Sequence, residues 1–136
     1  MTVELWYLFA ASVLLAVMWI PHIIGQVVTS GLLTPDDYTN LRKQEDFPNW
    51  VRRANRAHIN LVEQFGAFAG LVLVAHLAGI SNELTQICAA VFVWARVVHA
   101  VIFIAGVTVA MARTLVFTAA WAALIVYAVQ ILVSAA

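Results

Sequence analysis

Arg53, Arg56, Asn60 and Glu63 are spaced three, four and three residues apart in a chain with few other polar groups. At about 100° per residue they share a sector of roughly 80° on one helix face. The run that holds them, Arg52 to Phe65, leads straight into an apolar segment, and Leu61, Val62 and Phe65 point away from the stripe. A helix entering lipid with one polar stripe must bury it against protein or a water-filled cavity. Several guanidiniums near a membrane surface, beside apolar helices, suit an anion: an amphiphile or an acidic cofactor bearing carboxylates. No nucleophile, base and orienting group are spaced to act together, which argues against a nucleophile supplied by the chain.

Other charges lie deeper. Arg96 falls near the centre of an apolar run, where an arginine costs about 2.5–3.5 kcal/mol on insertion scales. It must face the bundle interior and find a partner, and Glu63 is the expected one, with Asn60 filling the remaining hydrogen-bond sites. His99 lies one turn from Arg96. Arg113 opens the last apolar run, with Thr114 beside it and Thr118 one turn on. These positions predict that Arg53, Arg56, Asn60, Glu63, His99 and Arg113 converge on one half of a bundle. A plainer account competes with this. Arg53 and Arg56 could snorkel to the headgroups, Arg113 could anchor its helix, and Glu63–Arg96 could be a structural ion pair. His58 projects off the stripe and reads as interfacial, and His76, near the outer end of its helix, carries no functional signal. The four histidines do not cluster with carboxylates at ligand spacing, so no metal site is expected.

The elements that must position these groups follow from composition. The chain has 136 residues, 64% hydrophobic and 10% charged, with mean hydropathy +0.94. A soluble domain carries about 25% charged residues, so this is an integral membrane protein. Seven basic residues balance seven acidic ones, and no nucleic-acid partner is expected. Cys88 is the single cysteine, which excludes an intramolecular disulfide; it should pack as a small hydrophobe. The N-terminal residues lack a basic start, and the apolar run behind them exceeds the ~7–15 residues of a signal peptide core.

Four runs are long enough to span, at about 5–28, 51–78, 84–105 and 111–133, within one domain covering 1–136. Pro21 sits inside the first, where a kink is expected. His22, Gly25 and Gln26 near its end read either as a helix–helix contact or as the lining of a site. Thr34-Pro35-Asp36-Asp37 has the form of a helix start and predicts a short surface helix through Leu41–Lys43. Trp50 suits the interfacial aromatic belt. Gly66 and Gly70 predict a close helix approach, and Gly79 a helix stop. The expected fold is an all-α, up-down-up-down four-helix membrane bundle. Arg42, Lys43, Arg52, Arg53 and Arg113 all fall on one side of it, which the positive-inside rule places in the cytoplasm.

Arg56-Ala57-His58-x-Asn60-x-x-Glu63 at the start of a second span resembles the signature of the MAPEG family, the membrane-associated proteins in eicosanoid and glutathione metabolism. Arg96-Val-Val-His99, Ala112-Arg113-Thr114, Gly25-Gln26-Val27 and Pro35-Asp36-Asp37 extend the resemblance over essentially the whole chain, as in a prokaryote-like member. The resemblance implies a homotrimer with sites between subunits on the cytoplasmic side; with no targeting signal visible, the membrane expected is a bacterial inner membrane. It also implies glutathione as cofactor and a transferase or peroxidase acting on lipophilic electrophiles. Arg113 would hold the thiolate as the catalytic residue. Arg53, Arg56, Asn60, Glu63, Arg96 and Thr114 would contact or brace the tripeptide. Family members also include non-enzymatic proteins, and an anionic lipid or a partner bound at the same stripe is the alternative. Ile59 and Val28 stand where prostaglandin-synthase-type members carry basic residues, and Phe103 and Phe117 where they carry tyrosines. Each lost charge-assisted bond removes about 1.5–3 kcal/mol, so glutathione in the usual pose should bind more weakly here.

Overall fold

A proline inside a helix lacks an N–H, and its ring crowds the carbonyl four residues earlier. For Pro21 that carbonyl belongs to Val17. In the computed structural model, which describes residues 1–136 apart from the side chain of Ala110, the first crossing breaks there. Helix α1 (Val3–Val17) ends, and α2 (Ile20–Ser30) begins with Pro21 in its first turn. Three unbroken helices follow: α3 (Asn49–Leu77), α4 (Glu83–Ala105) and α5 (Ala112–Ala135), with no strand among the described residues. Val3–Ser30, Asn49–Leu77, Glu83–Ala105 and Ala112–Ala135 make four helical units long and apolar enough to cross a membrane. The protein is an all-helical, multi-pass integral membrane protein.

The helix ends are set by local chemistry. Asn82 and Thr85 cap α4 reciprocally, each side-chain oxygen accepting from the other's backbone N–H at 3.1 and 2.9 Å. This is the capping-box exchange that satisfies two orphan donors. Gly106, at φ +77°, ends α4 in the left-handed conformation that glycine adopts without penalty.

The loop after α2 differs from expectation. No helix runs through Leu41–Lys43; the loop contains only 3-10 turns at Pro35–Tyr38 and Gln44–Asp46. The Thr34 start is real, because the Asp37 carboxylate accepts from both the N–H and the hydroxyl of Thr34 at 2.7 Å. Beyond Tyr38 the chain turns back instead of extending. Arg42 donates to Asp37 through Nε and Nη2 at 2.7 and 2.9 Å, and to the carbonyls of Gly31 and Leu32 at 3.0 and 2.9 Å. Those bonds hold the Asp37 carboxyl well below the usual carboxylate range and raise the Arg42 guanidinium. A short helix needs a face to pack, and Leu41 is 82% exposed.

Helix α4 packs against α1, α3 and α5. Phe68 and Phe92 stack at 4.2 Å in the core, ringed by Ala11, Ala75, Ala89 and Ala120. Cys88 is buried in that cluster. The close approach expected at Gly66 and Gly70 is not made within the chain, since a Cβ at either would meet nothing within 4 Å. It occurs at Gly25 instead, where a Cβ would lie 2.8 Å from Trp50 Cη2 and overlap Val51. His22 Nδ1 lies 3.2 Å from the Val51 carbonyl beside it. The His22–Gly25 segment is therefore a helix contact, with both residues buried.

At the opposite end lies a polar contact that sequence reasoning missed. Glu4 is buried and accepts from the hydroxyls of Thr85 at 2.6 Å and Ser81 at 3.0 Å. It ties the start of α1 to the start of α4. The available signal was a carboxylate in the first turn of an apolar helix, which must find donors when buried.

Candidate functional site

Arg53 is positioned by the end of α4. Its Nε donates to the Ile104 carbonyl at 3.1 Å, one of the acceptors a helix C-terminus leaves open and where a cation is favoured. The guanidinium lies across Gly106, where a Cβ would come within 2.9 Å of Arg53 Cζ. The glycine thus both ends the helix and makes room for the cation. Arg113, at the start of α5, places its guanidinium 4.9 Å above the Phe103 ring, within cation–π range.

Two adjoining clefts result. Asn49, Arg52, Arg53, Arg56, Phe103 and Arg113 line one; Asn60, His99, Phe103, Arg113, Thr114 and Phe117 line the other. Phe103 and Arg113 are common to both, so the clefts form one continuous feature where the start of α3 meets the end of α4 and the start of α5. The structure brings together Arg53, Arg56, Asn60, Arg113 and Thr114 of the sequence-derived residues, with His99 on the wall. Among the described residues the one ion pair within 4 Å is Arg42–Asp37. The arginines of the cleft therefore have no carboxylate to neutralise them.

Glu63 and Arg96 are not brought together, contrary to expectation. Glu63 is exposed on an outer groove between α3 and α5, with Gly66, Gly70 and Trp121. Arg96 is 2% exposed inside the bundle. Its Nη2 donates to Gln64 Oε1 at 2.5 Å and reaches the Phe117 carbonyl at 3.5 Å. The rings of Phe117 and Phe92 lie 4.8 and 5.7 Å from its Cζ. Its Nε and Nη1 have no partner. The physical reason is register. The buried face of α3 runs Ala57, Leu61, Phe68, Val72 and Ala75, and Gln64 falls on that face, whereas Glu63 is turned about 100° away. The missed signal was a polar residue at the helical spacing of an apolar face.

His99 is buried with its ring 5.3 Å from Phe103 and 6.1 Å from Phe117. His58, read as interfacial, is half-buried, and its Nδ1 lacks a partner. His76 is exposed near the end of α3.

The sequence profile of the MAPEG family matches residues 3–133. The chain belongs to the MAPEG family. Comparison with curated proteins gives no match. The match runs through all four spans, ending two residues before the end of α5. In this MAPEG protein the start of α3 meets Arg113 across the Phe103 ring.

Proposed function

We propose that the cleft binds an anionic, thiol-bearing tripeptide of the glutathione type and that the protein is a transferase or peroxidase for lipophilic electrophiles. The observation that carries this reading is the cluster of guanidiniums without carboxylate partners at Arg53, Arg56 and Arg113. Cations held together in one cleft repel one another, and an anion with two carboxylates relieves that cost. Glutathione, when bound, would supply the thiol nucleophile.

The chain's own residues then have separate tasks. Arg53 and Arg56 hold carboxylates at the rim, with Asn60 and Thr114 offering neutral hydrogen bonds deeper in. Arg113 lies over an aromatic ring, where a fixed positive charge favours the ionised form of a nearby thiol by Coulomb attraction. It is the residue assigned to thiolate stabilisation. Arg96 and Glu63 line neither cleft and act, if at all, by bracing. The walls of Phe103 and Phe117 exclude water and accept an apolar substrate arriving through lipid. An up-down-up-down course, a homotrimer with neighbouring subunits completing each site, and a bacterial inner membrane with the basic end cytoplasmic all belong to this proposal.

Those same ring walls favour a second reading. Where tyrosine hydroxyls would contact a peptide, Phe103 and Phe117 present only apolar surface. A cationic rim above aromatic walls suits a membrane lipid with an anionic head, bound without catalysis. Calorimetric titration of the detergent-purified protein separates the two. Glutathione should bind in the micromolar to low-millimolar range, and Arg56→Ala should weaken it roughly ten- to a hundredfold, the worth of one charge-assisted bond. Binding of a short-chain anionic phospholipid with no response to glutathione would favour the second reading.

A further inference from the structure

The loop between α2 and α3 looks polar in sequence, yet its surface also carries a group of large apolar side chains. Leu32, Leu33, Tyr38 and Leu41 are 76, 60, 76 and 82% exposed. A water-facing loop normally turns such side chains inward and leaves its polar groups to the solvent. Here the apolar side chains stay outward beside the exposed Thr34, Asp36, Thr39 and Asn40, while the ion pair of the loop is bonded within it. All three guanidinium nitrogens of Arg42 and both carboxylate oxygens of Asp37 are hydrogen-bonded within the loop, together with the Gly31 and Leu32 carbonyls and the Thr34 N–H. Internal satisfaction of backbone and charged groups is what a low-dielectric surrounding demands and what water does not.

Position agrees with this. Helix α2 ends at Ser30, so Gly31 and Leu32 lie where the chain leaves the hydrocarbon. Arg42 grips the carbonyls of those two residues, which returns Leu41 to the same level. The far end of the loop is pinned as well. Phe47 is buried edge-on to His22 of α2, with ring centres 6.4 Å apart. Lys43, which is exposed, immediately follows the apolar stretch, and a cation there suits anionic headgroups.

We propose that residues 31–42 form a strap seated in the headgroup–acyl boundary of the bilayer, with the Arg42–Asp37 lock holding Leu32, Leu33, Tyr38 and Leu41 against lipid. The strap is independent of what the cleft binds.

The test is site-directed spin labelling of the full-length protein in liposomes of mixed zwitterionic and anionic phospholipid. Single cysteines replace Leu33, Leu41 or the exposed Gln44. Cys88 is buried and stays in place, and the unsubstituted protein gives the labelling background. Labels at 33 and 41 should relax through collisions with oxygen and be shielded from a water-soluble nickel chelate, with the label at 44 showing the opposite. Nickel access at 41 equal to that at 44 would make the loop aqueous and overturn the proposal. Shielding at 41 from both quenchers would mean that protein, such as a second copy of this chain, covers the loop, and would overturn it too. Arg42→Ala, and independently Asp37→Asn, should raise nickel access and mobility at 41. An unchanged label depth in both variants would overturn the lock.

Discussion

A buried guanidinium with no carboxylate beside it must be held by neutral acceptors and ring faces. Arg96 is held that way, by Gln64 Oε1 at 2.5 Å and by the rings of Phe117 and Phe92. Gln64→Leu removes the acceptor while leaving the charge buried, and should destabilise the protein by about 1.5–3 kcal/mol. Glu63→Leu, on the outer groove, should change stability by less than about 0.5 kcal/mol. Arg96→Met combined with Gln64→Leu should recover much of the loss, since apolar residues of similar volume often replace a buried polar pair without cost. Thermal unfolding in detergent reads all three. Equal losses for Glu63→Leu and Gln64→Leu would make Glu63 the partner after all.

Among elements, glycines separate by what lies opposite them. Gly25 faces Trp50 and Val51, and a methyl there overpacks the α2–α3 contact; Gly25→Ala should cost about 1–3 kcal/mol. Gly66 faces open space, so Gly66→Ala should gain up to about 1 kcal/mol from helix propensity. Melting temperatures of the two variants should move in opposite directions. A four-residue glycine spacing shows that a helix face is small, but it does not show whether another helix fills it. That is why the sequence pointed to Gly66 and Gly70 while the tight contact is at Gly25. The loop was half legible for a similar reason. Thr34 and Asp37 announce a capped turn, but the return of Arg42 to Gly31 spans eleven positions that no local pattern encodes. The lock also has a pH signature. The Arg42 hydrogen bonds depress the Asp37 pKa, so the stabilisation is complete above the ordinary carboxylate pKa of about 3.9. It is lost as pH falls through the depressed value. Mobility of a spin label at position 41 should stay constant from neutral pH down to about 4 and rise only in stronger acid. Loosening between neutral pH and 5 would show that another group controls the loop.

For the whole molecule, crossings were legible because apolar runs of about 20 residues have few alternatives. The kink expected at Pro21 is a full break of the first crossing, and the stop expected at Gly79 holds, with φ +70° just past the end of α3. The basic end was legible because Arg53, Arg56 and Arg113 open apolar spans, and the structure brings those starts to one cleft. Gln64 and Glu4 were not, because a single polar residue on an apolar face reveals its partner only once register is known. The proposed activity rests on the uncompensated cations around Phe103 attracting an anionic thiol. Thiolate absorbance on titrating glutathione into the intact purified protein tests that most directly. The signal should rise and saturate for the unsubstituted protein and for Lys43→Ala, and should vanish in Arg113→Ala. A flat titration of correctly assembled protein, or an undiminished signal in Arg113→Ala, would contradict a thiolate site at Arg113.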